Sequence, residues 1–481
     1  MSLKSFLAST LALTATLGAT TAHAFDVEKV VASGDPNNRI NVVILGDGFR
    51  TEDQADLTAK AKELITEFQS LALFASYKQY FNFTVVHTIS NTNGAINGDD
   101  NPNPDTIFGS YYNCASIDRL ICLGDEAAVF NVLATDVPEY QPALDIAIVV
   151  VNDSKLGGSG GTLSTYSVNQ FASQIAVHEI GHSLGNLADE YSDPYPGYPD
   201  CQNECPEPNA TTAAHLTLQT LKWGHWVEGS TPLPTTGDDP NLVGAYQGGR
   251  YQPSTVYRPV PNCIMRSLGQ AYCPVCSEAM ILRVYDKTKL VEAPSPAGAT
   301  ITVGTESVQP FTILGPKPEP DSIKATWTVD GVEVFVGPTL NLDGKTLTEG
   351  PHTLKVDLID ESAIVREDPS SLLTDTHTWE LDVVPVISST TSGSGGSGSG
   401  GSGSGGSGSG GSGSGSGGSG SGGSGSGSGG TGGSASGDDD DDGSSSTGTC
   451  NCQLPGSSGG NAYGAIVIGA LVFALSRRRR S

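Results

Sequence analysis

The segment Val177-His178-Glu179-Ile180-Gly181-His182-Ser183-Leu184-Gly185 carries two histidines at i and i+4. On a helix they lie one turn apart on one face, so both imidazoles can reach one metal ion. Glu179 sits beside the first of them, placed to act as the general base of a metal-activated water. Two histidines merely exposed on an amphipathic helix is the competing reading. Histidine is scarce in this chain, 8 in 481 residues, which argues against it. A third ligand must come from further on. Asp189 follows His178 by eleven positions, which in an unbroken helix is about 16 Å along the axis, too far for one ion. The helix must therefore end, and Gly185 is placed to end it with a left-handed turn. The chain can then double back and offer a carboxylate. Asp189 is preferred and Glu190 is the other choice; Asp189 could also serve by orienting a histidine.

Upstream of this helix, strand and helix signals alternate. Ile40 to Leu45 reads as a buried strand closed by Gly46-Asp47-Gly48. Thr51 with Gln54 forms a capping-box pattern before a helix running to about Ala75. Phe83 to Thr88 is a strand, Asp125 to Thr135 a helix, and Leu144 to Val151 a fully buried strand. A glycine-rich stretch from Gly157 to Gly161 and a polar strand lead into a helix from about Asn169. This order predicts an α/β layer. Between Leu187 and Ala271 the pattern fades into an irregular lobe, and Cys276 to Asp286 is helical again. From about Ala299 the period changes to two. An Asp330-Gly331 hairpin signal lies within Lys324 to Val336, and His352 to Ile359 and Thr376 to Val384 alternate. Residues 290–387 thus read as an all-β Ig-like sandwich following a catalytic domain of residues 25–289.

His178 to Tyr191 resembles the signature of the IgA peptidase family of secreted, metzincin-like zinc metallopeptidases. Gly46-Asp47-Gly48, Tyr257-Arg258-Pro259, Cys263-Ile264-Met265-Arg266 and Cys273-Pro274-Val275-Cys276 also fit, so the resemblance spans roughly residues 28 to 287. It implies a metzincin-like α/β fold (a mixed sheet, an active-site helix and an irregular C-terminal lobe), one catalytic Zn2+ and endopeptidase activity. It implies His178, His182 and Asp189 as metal ligands and Glu179 as the catalytic base. The usual metzincin pattern puts its third ligand at the position of Ala188. Alanine cannot bind zinc, so the role moves one residue to Asp189. Met265 matches the turn that packs beneath the metal. Tyr191, Tyr257 and Tyr272 are candidates to stabilise an oxyanion. Metzincins pair an edge strand with extended substrate, so Thr162 to Tyr166 are expected to line the cleft.

Seven of the nine cysteines fall in this region: Cys114, Cys122, Cys201, Cys205, Cys263, Cys273 and Cys276. Cys114 and Cys122 close a short loop and are expected to pair. Cys201-x3-Cys205 with Cys273-x2-Cys276 has the spacing of a structural zinc site. An exported chain favours disulfides instead. Seven is odd, so one thiol stays free or pairs elsewhere. His225, between Trp223 and Trp226, reads as a packed histidine and not a ligand.

Export is expected from residues 1–24, where Lys4, an apolar run from Phe6 to Ala19 and Ala22-His23-Ala24 match a signal peptide. At the other end, residues 388–449 are a Gly/Ser linker with an acidic run from Asp438 to Asp442. Residues 450–481 follow: Cys450-Asn451-Cys452, an apolar run from Ala462 to Leu475, and Arg477 to Arg480. This segment resembles the MYXO-CTERM sorting tags of exported myxobacterial proteins, which implies attachment at the cell surface. A plain membrane anchor is the alternative, although the run is short against the roughly 20 residues a stable span needs. The net charge of −27 argues against nucleic acid, because phosphate binding needs clustered Lys and Arg. A monomer acting on protein or peptide, meeting membrane only through its C-terminal segment, is expected. Two other functions compete: a surface adhesion protein with a degenerate peptidase domain, and a zinc hydrolase of non-peptide amides. The first should have lost a ligand or the base, and neither is lost.

Overall fold

A computed structural model describes residues 24–195 and 198–385. All but the last residue of the expected signal segment, the linker beyond residue 385 and the C-terminal tag lie outside the described residues. Among the described residues no helix is long and apolar enough to cross a membrane.

The first sheet comprises β1 (Val27–Val31), β2 (Ile40–Asp47), β3 (Phe81–Val86), β4 (Ile146–Val151), β5 (Gly158–Ser159) and β6 (Ser164–Ser167), in the order β1-β3-β2-β4-β6-β5. The four inner strands run parallel, and β1 and β5 flank them antiparallel. Strands β2 and β4 are apolar on both faces because both faces are covered. Val42, Ile44, Ile146 and Ile148 join one core with Leu57, Leu64 and Phe68 of α1 (Gln54–Ser70). Val43, Leu45, Ala147 and Val149 join a second core with Val129, Val132 and Leu133 of α3 (Glu126–Asp136). The helix that carries both histidines is α4 (Ala172–Gly185), which packs beside α1 and contributes Ile175, Ala176 and Ile180 to the same core.

Three local expectations need correction. The first helix does not run unbroken to Ala75. It ends at Ser70, Leu71 is extended, and a short α2 (Ala72–Ser76) follows. The break lets Phe74 fold back and stack on Phe68 at 3.8 Å between ring centroids. Nor do Thr51 and Gln54 make a capping box. The Asp53 carboxylate accepts from the Arg50 backbone N–H at 3.1 Å and from its guanidinium at 2.9 Å, while Gln54 donates to the Arg50 carbonyl. Finally, β6 is not an edge strand. It lies between β4 and β5, and Gly158 of β5 is itself bridged by Leu120.

The lobe after α4 contains a small sheet of β7 (Thr211–Thr212), β8 (Tyr246–Gly249) and β9 (Gln252–Arg258), and it leads into α5 (Pro274–Lys287). Next come β10 (Ala293–Ser295), β11 (Thr300–Gly304), β12 (Val308–Leu314), β13 (Ile323–Val329), β14 (Val332–Val336), β15 (Thr339–Asp343), β16 (Gly350–Asp360) and β17 (Thr374–Val384). They form a three-stranded sheet, β10-β12-β15, and a five-stranded sheet, β11-β17-β16-β13-β14. Asp330 and Gly331 take the left-handed conformations that the β13–β14 hairpin turn requires. Inward positions alternate along β16 and β17, with Leu354, Val356, Trp379 and Leu381 buried, and Phe311 and Trp327 pack on Trp379. This layer meets the first through Asp360, which accepts from Tyr77 at 2.6 Å and from Tyr285 at 2.9 Å.

Candidate active site

His178, Glu179 and His182 are all buried on α4. Each histidine spends Nδ1 on a carbonyl, His178 on Ile264 O at 2.9 Å and His182 on Leu187 O at 2.6 Å. A carbonyl can only accept, so Nδ1 carries the proton and, in the neutral ring, Nε2 presents a lone pair. The two Nε2 atoms are 3.2 Å apart. Asp189 Oδ1 lies 3.1 Å from one and 3.4 Å from the other. With both rings neutral, three lone-pair donors converge on one point, an arrangement a cation stabilises, and without a cation the Asp189 carboxylate favours protonated rings instead. Burial disfavours charge on both imidazoles. The adjacent Asp189 carboxylate outweighs it, and both sit above the ordinary histidine value. Burial likewise opposes the Asp189 charge, but the two imidazoles hold that carboxyl well below the usual range.

The turn that delivers Asp189 differs in one residue from expectation. Gly185 is still helical, and the left-handed residue is Asn186, at φ 49° and ψ 38°. Asn186 N–H returns to His182 O and Leu187 N–H to Gly181 O, closing the helix end. Gly185 is needed for packing instead, because a Cβ there would lie 2.5 Å from Met280 Sδ. Ala188 stands where the sequence resemblance would have put a third ligand. It is buried with Cys205, Ala210 and Val256, and its backbone is clamped by Asn209 at 2.7 and 2.9 Å. That clamp turns position 188 into a packing residue, and Asp189 comes to the histidines. Glu190 does not; its Oε1 meets Asn209 and Cys276.

Two residues at the site were not singled out from sequence. Tyr251 donates from its hydroxyl to Asp189 Oδ2 at 2.5 Å. It is carried there by the β8–β9 hairpin, whose tip also hydrogen-bonds Asp189 O from Arg250 N and Tyr191 O from Tyr251 N, both at 2.8 Å. The only signal for it was Gly248-Gly249 just upstream, a turn cue in a stretch that otherwise lacks periodicity. Gly160 lies against the catalytic face, where a Cβ would meet Glu179 Oε2 at 2.5 Å and His182 Cδ2 at 2.6 Å. The glycine run before β6 is thus a contact surface for Glu179 and His182.

Met265 is fully buried against α4, and a Cβ on Gly181 would lie 2.5 Å from its sulfur. Of the three tyrosines considered, Tyr272 gives its hydroxyl to Val177 O at 2.5 Å, Tyr191 stacks near the His178 ring, and Tyr257 pairs within β9 to Thr211. Of the expected cleft segment, Thr162 lines an opening of about 930 Å³ together with Gly161, His182, Ser183 and Asn186. Ser164 to Tyr166 are buried in the sheet. His225 is held by Glu278 at 2.6 Å and Glu367 at 2.9 Å. Cys114 pairs with Cys122, and Cys201 pairs with Cys205. The second disulfide removes Cys201 and Cys205 from any zinc site shared with Cys273 and Cys276, and three buried thiols remain instead of one.

Compared with known proteins, the chain matches the model of the family IgA Peptidase M64 over residues 29–240 and 236–284. No curated protein matches it.

Proposed function

The chain belongs to the IgA Peptidase M64 family of proteases, and we propose that it is a Zn2+-dependent endopeptidase, exported and tethered at the cell surface. The observation that carries this reading is the convergence of His178 Nε2, His182 Nε2 and Asp189 Oδ1 within 3.4 Å, beside a buried Glu179. Two imidazoles and one carboxylate suit zinc and leave a coordination position open, as catalytic sites require. The metal, when bound, supplies a Lewis acid that polarises the scissile carbonyl and acidifies water. The Ile264 and Leu187 carbonyls fix both imidazole tautomers, and Tyr251 orients the Asp189 carboxylate. Glu179 takes a proton from the attacking water and returns it to the leaving amine. Gly160 brings backbone against Glu179 without a side chain that would displace it.

The same reading extends to architecture. The sheet with α4 and the Met265 turn is metzincin-like, and the two β-sheets after residue 290 form an Ig-like sandwich closed around Trp327 and Trp379. Residues 1–24 direct export and residues 450–481 anchor the chain.

Glu179→Gln tests the mechanism. It keeps every donor and removes only proton transfer, so zinc content and unfolding behaviour should match wild type. Turnover of a cleavable peptide should fall by about 10²–10⁴-fold. Substantial residual turnover with zinc retained would remove Glu179 from the base role.

A further inference from the structure

Asp189 and Glu190 are consecutive, yet they meet different partners. Glu190 joins Cys263, Cys273 and Cys276, with one ligand atom from each lying within 4.8 Å of all the others, and all four residues are buried. Cys263 Sγ and Cys276 Sγ are 3.8 Å apart, and Cys276 Sγ is 3.7 Å from Glu190 Oε1. Glu190 Oε1 also accepts from Asn209 at 3.1 Å, whereas the buried Oε2 has no hydrogen-bond partner. A carboxylate oxygen with no partner, beside three thiols, is a costly burial unless a cation balances it. The nearest arginines are already engaged. Arg258 donates to the carbonyls of Gln247, Gly248 and Pro261, and Arg266 to Glu190 O and Ser192 Oγ. Cys273 caps the N-terminus of α5 and accepts from Cys276 N–H, a position that favours a thiolate. Cys273-x2-Cys276 at a helix start, a third cysteine and one carboxylate make up a closed four-ligand set of the kind a structural zinc takes.

We propose that Cys263, Cys273, Cys276 and Glu190 bind a second, structural zinc ion. Binding releases the thiol protons and involves no change of oxidation state. The ion ties three segments together: the chain after α4 at Glu190, the Met265 turn at Cys263, and the start of α5. Because Glu190 N–H bonds Met265 O at 2.8 Å and Asp189 is its neighbour, this clip fixes the backbone that presents Asp189. The chemistry of the second site does not depend on the catalytic reading.

The test is metal stoichiometry on the purified full-length chain, isolated without reductant. Wild type should hold two zinc ions, and His182→Ala and Cys276→Ser should each hold one. Exchange of the remaining ion in His182→Ala for Co2+ should give a sulfur-to-cobalt charge-transfer band, which the histidine–aspartate site cannot produce. A His182→Ala chain without zinc, or a cobalt form lacking that band, would overturn the proposal. So would a disulfide joining any two of Cys263, Cys273 and Cys276 in a non-reducing peptide map, since those thiols would then be oxidised. If His182→Ala fails to fold, cobalt exchange on the wild-type chain decides the same question, with Cys276→Ser as the control that must lose the band. If the catalytic reading alone fails, wild type holds one zinc with the thiolate band, and His182→Ala leaves that count unchanged.

Discussion

Tyr251 sits at φ 58° and its neighbour Arg250 at φ 52°, conformations that cost a residue with a side chain about 1–2 kcal/mol relative to its preferred regions. Glycine or asparagine would relieve the strain at that hairpin tip. Both side chains are used, however: Arg250 pairs with Glu207 at 3.0 Å and Tyr251 bonds Asp189 Oδ2. Strain retained where a side chain reaches a candidate ligand points to a positioning role. Tyr251→Phe keeps the ring among Tyr191, Tyr195 and Tyr198 and removes only the hydroxyl. Zinc affinity, measured by competition with a chelator, should fall by about 10–100-fold while the fold is retained. Unchanged affinity would mean that Asp189 is held by its backbone alone. The histidine pair was legible in sequence because one helical turn is a local spacing. Tyr251 was not, because its relation to Asp189 runs through the hairpin and leaves no periodic trace.

At the scale of the element, the end of α4 shows what spacing can and cannot say. That the helix must stop before Asp189 followed from helical rise alone. Which residue takes the left-handed turn did not, because Gly185 and Asn186 are adjacent and both suit it. Packing decided: Gly185 faces Met280, so the turn falls to Asn186. Asn186→Gly should leave stability within about 1 kcal/mol of wild type, because glycine enters this region freely. Asn186→Val should lose about 1–2 kcal/mol, because its Cβ branches clash in the left-handed region. Urea unfolding of the zinc-loaded chain separates the two, and equal effects would mean the turn is not under this constraint. Strands β2 and β4 were readable as apolar runs flanked by turns. The break at Leu71 was not, because Phe74 stacking on Phe68 is a tertiary gain that overrides a continuous helical pattern.

Over the whole molecule, the period-two pattern after residue 299 identified the second layer, but its attachment to the first was invisible in sequence. Asp360 lies at the end of β16 and is only 3% exposed. It accepts from Tyr77, Tyr285 and Ser322. Asp360→Ala removes the acceptor shared by the buried Tyr77 and Tyr285 hydroxyls, leaving them Ser362 and Tyr80 as partners, and should cost about 1–3 kcal/mol. Calorimetry should show the loss, with peptidase kinetics little changed at low temperature; a change in kinetics instead would tie the β-layer to the active site. On the proposed surface attachment, residues 388–449 join the peptidase and β-sheet segments to the C-terminal segment. The apolar run and Arg477 to Arg480 would hold the C-terminal end at the inner side of the membrane, until processing near Cys450 or Cys452. A chain ending at residue 449 should therefore accumulate in the medium with catalytic constants equal to those of the tethered form. Peptidase activity is compared between cells and medium for both chains. Release in equal proportion would show that residues 450–481 do not anchor the protein, and the metal site would be untouched by that result.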